Sequence, residues 1–331
     1  MRTIHDLGRE DSRLLRRLYM VNSNHMSHLT EKGIVNQDIT RVINLVTKES
    51  ALYNIQAPRN GRTRDEVIQA YVDGSRRYCP FCKPVNISHD FGKIESAHSF
   101  TTPNPTAYDH LSGIVIFKKH NPLAQTEEEV VDHFNTAFEL VERLQGKTKG
   151  TSHPQLIWNC MPKSGTNVVH GHMQVLLAQI MPYSDVFNWA RNAVKYNNEF
   201  GSDYLEDLCS AHESIGLSLD DAFVSLTPKK ERELVIVRED KDISAFASEI
   251  YRNLDAMIYS CNMRSFNLTC YPTRITGKEY MIARIVDRGD PLNGGIDFAG
   301  MEIFGEPVIR TDPYDTKKKM EEYLCMDKVK E

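Results

Sequence analysis

Two histidines and a glutamine alternate along one apolar stretch of the chain, "NVVHGHMQVLL" (residues 167–177). Side chains on a β-strand alternate between its two faces, so this spacing directs His170, His172 and Gln174 to the same side. Three polar side chains on an otherwise apolar strand are costly unless each has a partner. Imidazoles two residues apart can share a metal ion, and a neutral imidazole can attack phosphorus. The stretch predicts metal binding, nucleophilic catalysis or both.

A further pair of potential ligands lies in "CPFC", where Cys79 and Cys82 have the spacing of a zinc knuckle. The sequence has no second Cys-x-x-Cys, so histidines are the expected source of the remaining ligands. A lone Cys-x-x-Cys can also be redox-active, but this one does not open a helix in a thioredoxin-like strand-helix-strand unit. We therefore predict one structural zinc site.

Regular elements must position these residues. Apolar runs predict the strands "GIVIF" and "PQLIWNCM", and Thr126 with Glu129 forms a capping box before an amphipathic helix. The loop "PKSGTN" precedes the histidine stretch, and its small polar residues suit exposed backbone amides. The last third contains the strand patterns "ELVIVRE", "SFNLTCYPTRI" and "EYMIARIVDR" with a helix between the first two. Strand-helix-strand thus recurs in both halves, which indicates an α+β fold.

Composition excludes several classes of protein. The chain has 331 residues and a formal net charge of −5, so a broad nucleic-acid surface is not expected. No apolar run approaches the roughly 18 residues of a membrane helix, and the charged N-terminus lacks a signal-peptide core. The seven cysteines are odd in number and mostly scattered, which is typical of a reduced compartment. We expect a cytoplasmic protein that binds neither nucleic acid nor membrane.

The motifs resemble those of the galactose-1-phosphate uridylyltransferase family, part of the histidine-triad-like superfamily of nucleotidyl transferases and phosphorylases. The resemblance runs from about residue 40 onward and depends on "CPFC", "GIVIFKKHNPLAQTEEE" and "NCMPKSGTNVVHGHMQ". It implies duplicated antiparallel-sheet units with flanking helices. We divide the chain into an N-terminal helical extension (1–40), a zinc-binding catalytic half (41–195) and a C-terminal half of the same fold (196–331).

The same resemblance implies roles for individual residues. Cys79, Cys82, His120 and His170 are the expected zinc ligands. His172 is the expected nucleophile, with the backbone carbonyl of the intervening glycine fixing its tautomer. Gln174 is expected to bond the transferred phosphate, assisted by the amides of the 164–166 loop and an arginine. The residues expected to contact substrate are Arg59, Arg62, Asn104, Asn159, Ser164, Gly165, Thr166, Asn167 and Glu302.

The C-terminal half departs from the family pattern. The family holds a second metal with histidines and a glutamate, whereas Cys270, "MIARIV" and Asn188 stand at the corresponding places here. We therefore expect no second metal site. Met301 replaces the usual aromatic neighbour of the hexose-binding glutamate, Glu302, and Asn104 with Pro105 replaces the usual base-side pair. The base and sugar are therefore not specified.

The resemblance implies a homodimeric nucleotidyltransferase that forms a nucleotidyl-histidine. Its donor would be a nucleotide sugar or another nucleotide, and its acceptor a sugar 1-phosphate. The main alternative is a phosphorylase, in which inorganic phosphate accepts the nucleotide from a nucleotide sugar or a dinucleoside polyphosphate. A hydrolase, with water as acceptor, is a further possibility. A zinc-dependent binding module for protein or RNA would be non-enzymatic, and the acidic net charge and the intact His-x-His-x-Gln set argue against it.

Overall fold

The computed structural model of the protein describes residues 2–10, 12–31, 33–57, 61, 63–83, 87–109, 111–293 and 299–327. Short 3-10 helices occur at Ile4–Arg9, Arg76–Tyr78 and Pro162–Ser164. The α-helices are α1 (Arg13–Leu18), α2 (Asp65–Ser75), α3 (Glu127–Gln145), α4 (Ser184–Phe200), α5 (Tyr204–Ser214), α6 (Ile243–Ser260), α7 (Gly300–Ile303) and α8 (Pro313–Asp327). The strands are β1 (Tyr19–Thr30), β2 (Gly33–Asn44), β3 (Ser50–Tyr53), β4 (Ser99–Thr102), β5 (Leu111–Phe117), β6 (Ser152–Cys160), β7 (His172–Gln179), β8 (Ala222–Val224), β9 (Glu233–Arg238), β10 (Phe266–Ile275), β11 (Lys278–Asp287) and β12 (Val308–Ile309).

The chain forms two compact units, each made of separate segments. The first unit comprises residues 1–61, 191–235 and 295–331, and the second comprises 62–190 and 236–294. These units differ from the sequential halves predicted from the sequence, because each takes segments from both sides of residue 195. Mainly antiparallel sheets combined with helices confirm the predicted α+β class.

The first unit contains a four-stranded sheet in the order β1-β2-β3-β12. β1 and β2 form an antiparallel ladder, from Tyr19 opposite Asn44 to Thr30 opposite Gly33. The predicted helical extension over residues 1–40 is therefore wrong beyond α1. Local helix propensity is a weak preference that the β1–β2 ladder overrides, and the alternating burial of Thr40, Val42 and Asn44 follows the strand period.

The second unit contains the strands that carry the predicted site, which pair in the order β4-β5-β7-β6-β10-β11. Leu156, Trp158 and Cys160 of β6 are fully buried, whereas the residues between them are half-buried. The helices α3 and α6 pack against the sheet and against each other. β6 therefore has one apolar face and one polar face, the alternation expected for an antiparallel strand.

The helix α3 confirms the predicted capping box. The backbone N–H of Thr126 donates to Glu129 Oε2 at 2.8 Å, and the N–H of Glu129 donates back to Thr126 Oγ1 at 3.3 Å. Its buried apolar residues recur at helical spacing and fix the helix over β5 and β7. None of the helices in the described segments is both long and apolar enough to cross a bilayer.

Candidate active site and metal centre

Four potential metal ligands meet in the second unit. Cys79 and Cys82 follow the 3-10 helix Arg76–Tyr78, His120 follows β5, and His170 precedes β7. Their ligand atoms all lie within 4.8 Å of one another. The Nδ1 atoms of His120 and His170 are 3.2 Å apart, and Cys82 Sγ lies 3.2 Å and 3.3 Å from them. Three of the side chains are buried, and Cys82 is exposed.

The two histidines present the nitrogen that a metal requires. His170 Nε2 lies 2.6 Å from the carbonyl oxygen of Phe117, and His120 Nε2 lies 3.0 Å from that of Val72. A carbonyl only accepts, so each Nε2 carries the hydrogen and each Nδ1 keeps its lone pair. Burial also lowers the pKa of His170 to about 4, which keeps the ring neutral.

The donor set matches a tetrahedral metal site. Zinc–sulfur and zinc–nitrogen bonds of about 2.3 and 2.05 Å place neighbouring ligand atoms roughly 3.3–3.8 Å apart in a tetrahedron. The Sγ atoms of Cys79 and Cys82 lie 3.4 Å and 3.3 Å from His170 Nδ1, within that range, and the two separations of 3.2 Å lie just below it. The structure thus brings together the four ligands selected from the sequence in a group that could hold a metal ion.

His172 is the first residue of β7 and is 7% exposed. Its Nδ1 lies 2.8 Å from the carbonyl oxygen of His170, so Nδ1–H donates and Nε2 keeps a lone pair. Burial lowers the pKa of His172, although the carbonyl opposes that effect. The acceptor differs from the one predicted, which was the carbonyl of Gly171. The tautomer is the predicted one, a neutral imidazole with its lone pair on Nε2.

Gly171 is required by packing instead. A Cβ atom at this position would lie 2.4 Å from Cδ2 of Phe117. The Phe117 ring is fully buried and stacks on His133 of α3, with ring centroids 3.7 Å apart. The carbonyl of Gly171 accepts the N–H of Phe117 at 3.0 Å, which joins this segment to the end of β5. Only glycine allows the segment between the two histidines to approach β5 so closely.

Gln174 lies on β7, on the same side of the strand as His172. Its side chain is 8% exposed, and the buried Oε1 has no hydrogen-bond partner in the parts of the chain that the structure describes. A buried amide without a partner costs free energy, so proteins seldom keep one that serves only the fold. The Oε1 acceptor of Gln174 is thus available to a donor on a bound molecule beside His172.

The loop between β6 and β7 offers fewer amides than predicted. The N–H groups of Ser164 and Gly165 donate to Met161 O at 3.0 Å and Pro162 O at 2.9 Å within the turn. Gly165 has φ +90°, a left-handed conformation that favours glycine. The N–H groups of Ser164 and Gly165 are therefore both used within the turn and are not available to a phosphate.

The remaining predicted contacts have separate outcomes. Asn104 Oδ1 accepts the N–H of Thr106 at 3.0 Å, so its side chain stabilises its own loop. Glu302 belongs to the first unit, where it forms an ion pair with Lys230 and caps the short helix α7. Arg59 and Arg62 lie outside the described residues.

Two phenylalanines that lie outside the predicted site residues also shape the site. Phe81, between the two cysteines, packs its ring 5.9 Å from that of His170 and 5.2 Å from that of His172. Phe117 holds His170 through its carbonyl and Gly171 through its ring. Phe81 could have been suspected from its place inside "CPFC". The role of Phe117 depends on β5–β7 pairing, which no local pattern reveals.

Comparisons with known proteins establish the fold. No protein-family model and no curated protein matches the sequence. Among solved structures, an ADP-glucose phosphorylase from Arabidopsis thaliana with bound ADP-glucose is 13% identical, with a TM-score of 0.58, and the match covers 90% of this chain and 98% of that chain. A GalT-like protein from Arabidopsis thaliana is 14% identical, with a TM-score of 0.59 and the same coverage.

A uridylyltransferase structure is also similar, at 16% identity and a TM-score of 0.58, covering 87% of this chain and 98% of that chain. At these identities the likeness concerns the fold. The resemblance inferred from the motifs is thereby confirmed at the level of the fold.

Proposed function

We propose that the chain is a nucleotidyltransferase that carries a nucleoside monophosphate on His172. The observation that supports this most directly is the hydrogen bond from His172 Nδ1 to His170 O, which leaves the Nε2 lone pair free. A neutral, rigidly held imidazole is the form that attacks phosphorus. The shared fold agrees with this chemistry, because the similar structures include a uridylyltransferase and an ADP-glucose phosphorylase.

The reaction would proceed in two displacements. His172 Nε2 attacks the α-phosphorus of a nucleotide sugar, a P–N bond forms, and the P–O bond to the sugar 1-phosphate breaks. The sugar 1-phosphate leaves as an anion, while the Nδ1 hydrogen stays on His172 and the His170 carbonyl stabilises the cationic ring. A phosphate oxygen of the acceptor then attacks the same phosphorus, and the P–N bond breaks. Neutral His172 is restored.

The surrounding groups would stabilise the charge of the transferred phosphoryl group. We propose the Nε2–H groups of Gln174 and the backbone N–H groups of Thr166 and Asn167 as the donors to the phosphate oxygens. Donors held in place before the reaction stabilise developing charge without reorganisation. We propose that Cys79, Cys82, His120 and His170 hold zinc, which, when bound, supplies a rigid connection between the cysteine loop and the segment that carries His172.

A phosphorylase is the second candidate, and one observation favours it. Glu302, the residue that the resemblance assigns to the hexose, is engaged by Lys230 and by the end of α7. An acceptor sugar phosphate would then lack its expected carboxylate, whereas orthophosphate needs none. We therefore propose sugar 1-phosphate and orthophosphate as the two acceptors to compare. We also propose a homodimer, which sedimentation analysis of the full chain can test.

The test is covalent labelling of the full chain. The protein is incubated with UDP-glucose, ADP-glucose or diadenosine tetraphosphate radiolabelled in the α-phosphate, without an acceptor. We expect an acid-labile label on the peptide containing His172. Galactose 1-phosphate and orthophosphate are then added separately, and the one that discharges the label identifies the acceptor.

His172→Asn is the matched control, since it removes the nucleophile outside the four potential metal ligands. This variant should remain unlabelled while its metal content and melting temperature match those of the wild type. An unlabelled wild-type protein with all three donors at millimolar concentration would overturn the covalent mechanism.

A further inference from the structure

A directed chain of hydrogen bonds leads from β11 to the loop beside His172. Arg288, which follows β11, donates from Nη1 to Asn267 Oδ1 at 2.6 Å. Asn267, on β10, donates from Nδ2 to Asn159 Oδ1 at 2.6 Å and to the carbonyl oxygen of Ser164 at 2.9 Å. All of these residues belong to the second unit.

The chemistry of arginine determines the direction of this chain. A guanidinium only donates, so the atom of Asn267 that faces Arg288 must be the carbonyl oxygen. Both hydrogens of Asn267 Nδ2 then point towards Asn159 and Ser164. The atom of Asn159 that receives one of them must in turn be its oxygen. The orientation of both asparagine amides therefore follows from one positive charge.

The consequence for the site lies at Asn159. Ile157 of β6 pairs with Gln174 of β7, so Asn159, two residues on, shares the polar face that carries His172 and Gln174. With Oδ1 turned towards Asn267, the other end of the Asn159 amide is Nδ2, whose hydrogens can be donated to another molecule. The second hydrogen of the Asn267 amide is donated to the carbonyl oxygen of Ser164. This hydrogen bond holds the turn that precedes Thr166 and Asn167.

We propose that Asn267 and Arg288 are positioning residues for nucleotidyl transfer: they orient Asn159 as a hydrogen-bond donor to the transferred phosphate and hold the loop at Ser164. This inference rests on the proposed function, because it assigns the oriented donor to a phosphate beside His172. Neither residue needs to touch the substrate. If Asn159 presented its amide oxygen to the phosphate, the two would repel each other. The orientation of the Asn159 amide therefore decides whether it attracts or repels the phosphate oxygens.

The first test is a double-mutant cycle on the single-turnover rate of His172 labelling. Asn267→Asp keeps the shape and the Arg288 contact but, when ionised, cannot donate to Asn159. We expect the rate to fall about 10- to 100-fold, the range for losing an oriented donor or its support. In the Asn159→Ala background, the same change should slow the rate by no more than about 3-fold, because its main target is absent. Equal effects in both backgrounds would overturn the positioning role.

Conservative variants at Arg288 give the matched comparison. Arg288→Lys retains a charged donor and should stay within about 5-fold of the wild-type rate, whereas Arg288→Met should resemble Asn267→Asp. Melting temperatures identify any variant that simply unfolds. If Arg288→Met labels as fast as the wild type, the inference is wrong.

A readout in the free protein separates this inference from the proposed function. The side-chain NH₂ signals of Asn159 and Asn267 in a ¹⁵N-labelled sample, assigned with the variants above, report their hydrogen bonds without substrate. We expect Arg288→Met to shift both pairs and to accelerate their exchange with water. If the wild type forms no adduct but these signals respond, the orientation holds and the proposed reaction fails. Unchanged signals would refute the orientation itself.

Discussion

The Nδ1 atom of His172 lies 2.8 Å from the carbonyl oxygen of His170, so one of the two histidines determines the tautomer of the other. His170 is itself held by Phe117 through Nε2 and faces the cysteines through Nδ1. Three of the four ring nitrogens of the pair thus have a defined neighbour, and the fourth is Nε2 of His172. The tautomer places the lone pair of His172 on Nε2, the atom that the proposed reaction requires.

The first prediction concerns the glycine between these histidines. Gly171→Ala places a methyl group against the buried ring of Phe117, which cannot retreat because it stacks on His133. We expect the free energy of unfolding to fall by about 1–3 kcal/mol, the cost of overpacking a core. The rate of His172 labelling should fall as well, since the strand start must shift. Denaturant unfolding and labelling measure the two effects.

Gly74→Ala is the control for that substitution. Gly74 lies in α2, and a Cβ there meets nothing within 4 Å. Alanine at a helical position should be neutral or stabilise the fold by up to about 1 kcal/mol. If Gly171→Ala were as well tolerated as Gly74→Ala, the proposed close packing on Phe117 would be wrong.

A second prediction separates function from stability at Gln174. Because its buried Oε1 lacks a partner among the described residues, Gln174→Leu removes a desolvated acceptor that makes no hydrogen bond with those residues. We expect an unchanged or higher melting temperature and a labelling rate lower by about 100-fold, as for a lost transition-state donor. A destabilised variant with normal labelling would assign Gln174 to the fold instead.

A third prediction concerns the metal. Elemental analysis of the wild-type chain should give one zinc per chain, and Cys79→Ser should lose most of it. Structural zinc contributes on the order of 10 kcal/mol to folding, so this variant and the chelated wild type should both unfold at much lower temperature. Cys325→Ser is the matched control, since Cys325 is exposed on α8 outside the cluster. Full zinc content in Cys79→Ser would contradict the assignment.

The fourth prediction is a pH dependence of stability in the first unit. His212 is fully buried, its Nδ1 donates to Leu208 O at 2.8 Å, and burial lowers its pKa to about 4. The unfolded chain, with a histidine pKa of about 6.5, binds the proton first as pH falls. His212 should therefore reduce the free energy of unfolding by up to about 3 kcal/mol between pH 6.5 and 4.

The comparison for this pH dependence is His212→Phe, whose ring can keep the stacking on Phe223 but cannot titrate. Its overall stability will be lower because the bond to Leu208 is lost. The slope of unfolding free energy against pH, obtained from urea titrations between pH 4 and 6.5, should nevertheless be shallower than in the wild type. Identical slopes would show that His212 does not titrate in this range.

Much of the site could be predicted because its chemistry is local. The spacing of Cys79 and Cys82, and of His170, His172 and Gln174, is visible in a few residues each. The helix α3 is predicted by its capping box and by the helical spacing of its apolar residues. Such signals come from residues close together in the sequence, so they do not depend on how distant segments pack.

The parts that could not be predicted depend on pairing between distant segments. β1 and β2 reinforce each other as a ladder that overrides their local preference, and Thr40 and Asn44 are buried polar residues that blur the strand pattern. Asn267 meets Asn159 because β10 pairs with β6, more than one hundred positions away in the sequence. The resemblance predicted that Glu302 contacts the substrate, whereas in the structure its carboxylate forms an ion pair with Lys230.

Cys82 is the one exposed member of the four-residue cluster. Alkylating agents, peroxide and competing chelators should therefore reach the cluster at the Cys82 sulfur, whereas Cys79 and the imidazoles of His120 and His170 are buried. Modification of the Cys82 sulfur would weaken the proposed metal site and thereby the segment that carries His172, although His172 itself would not be modified. Peptide mapping after limited iodoacetamide treatment would reveal this order of attack, with modification at Cys82 preceding modification at Cys79.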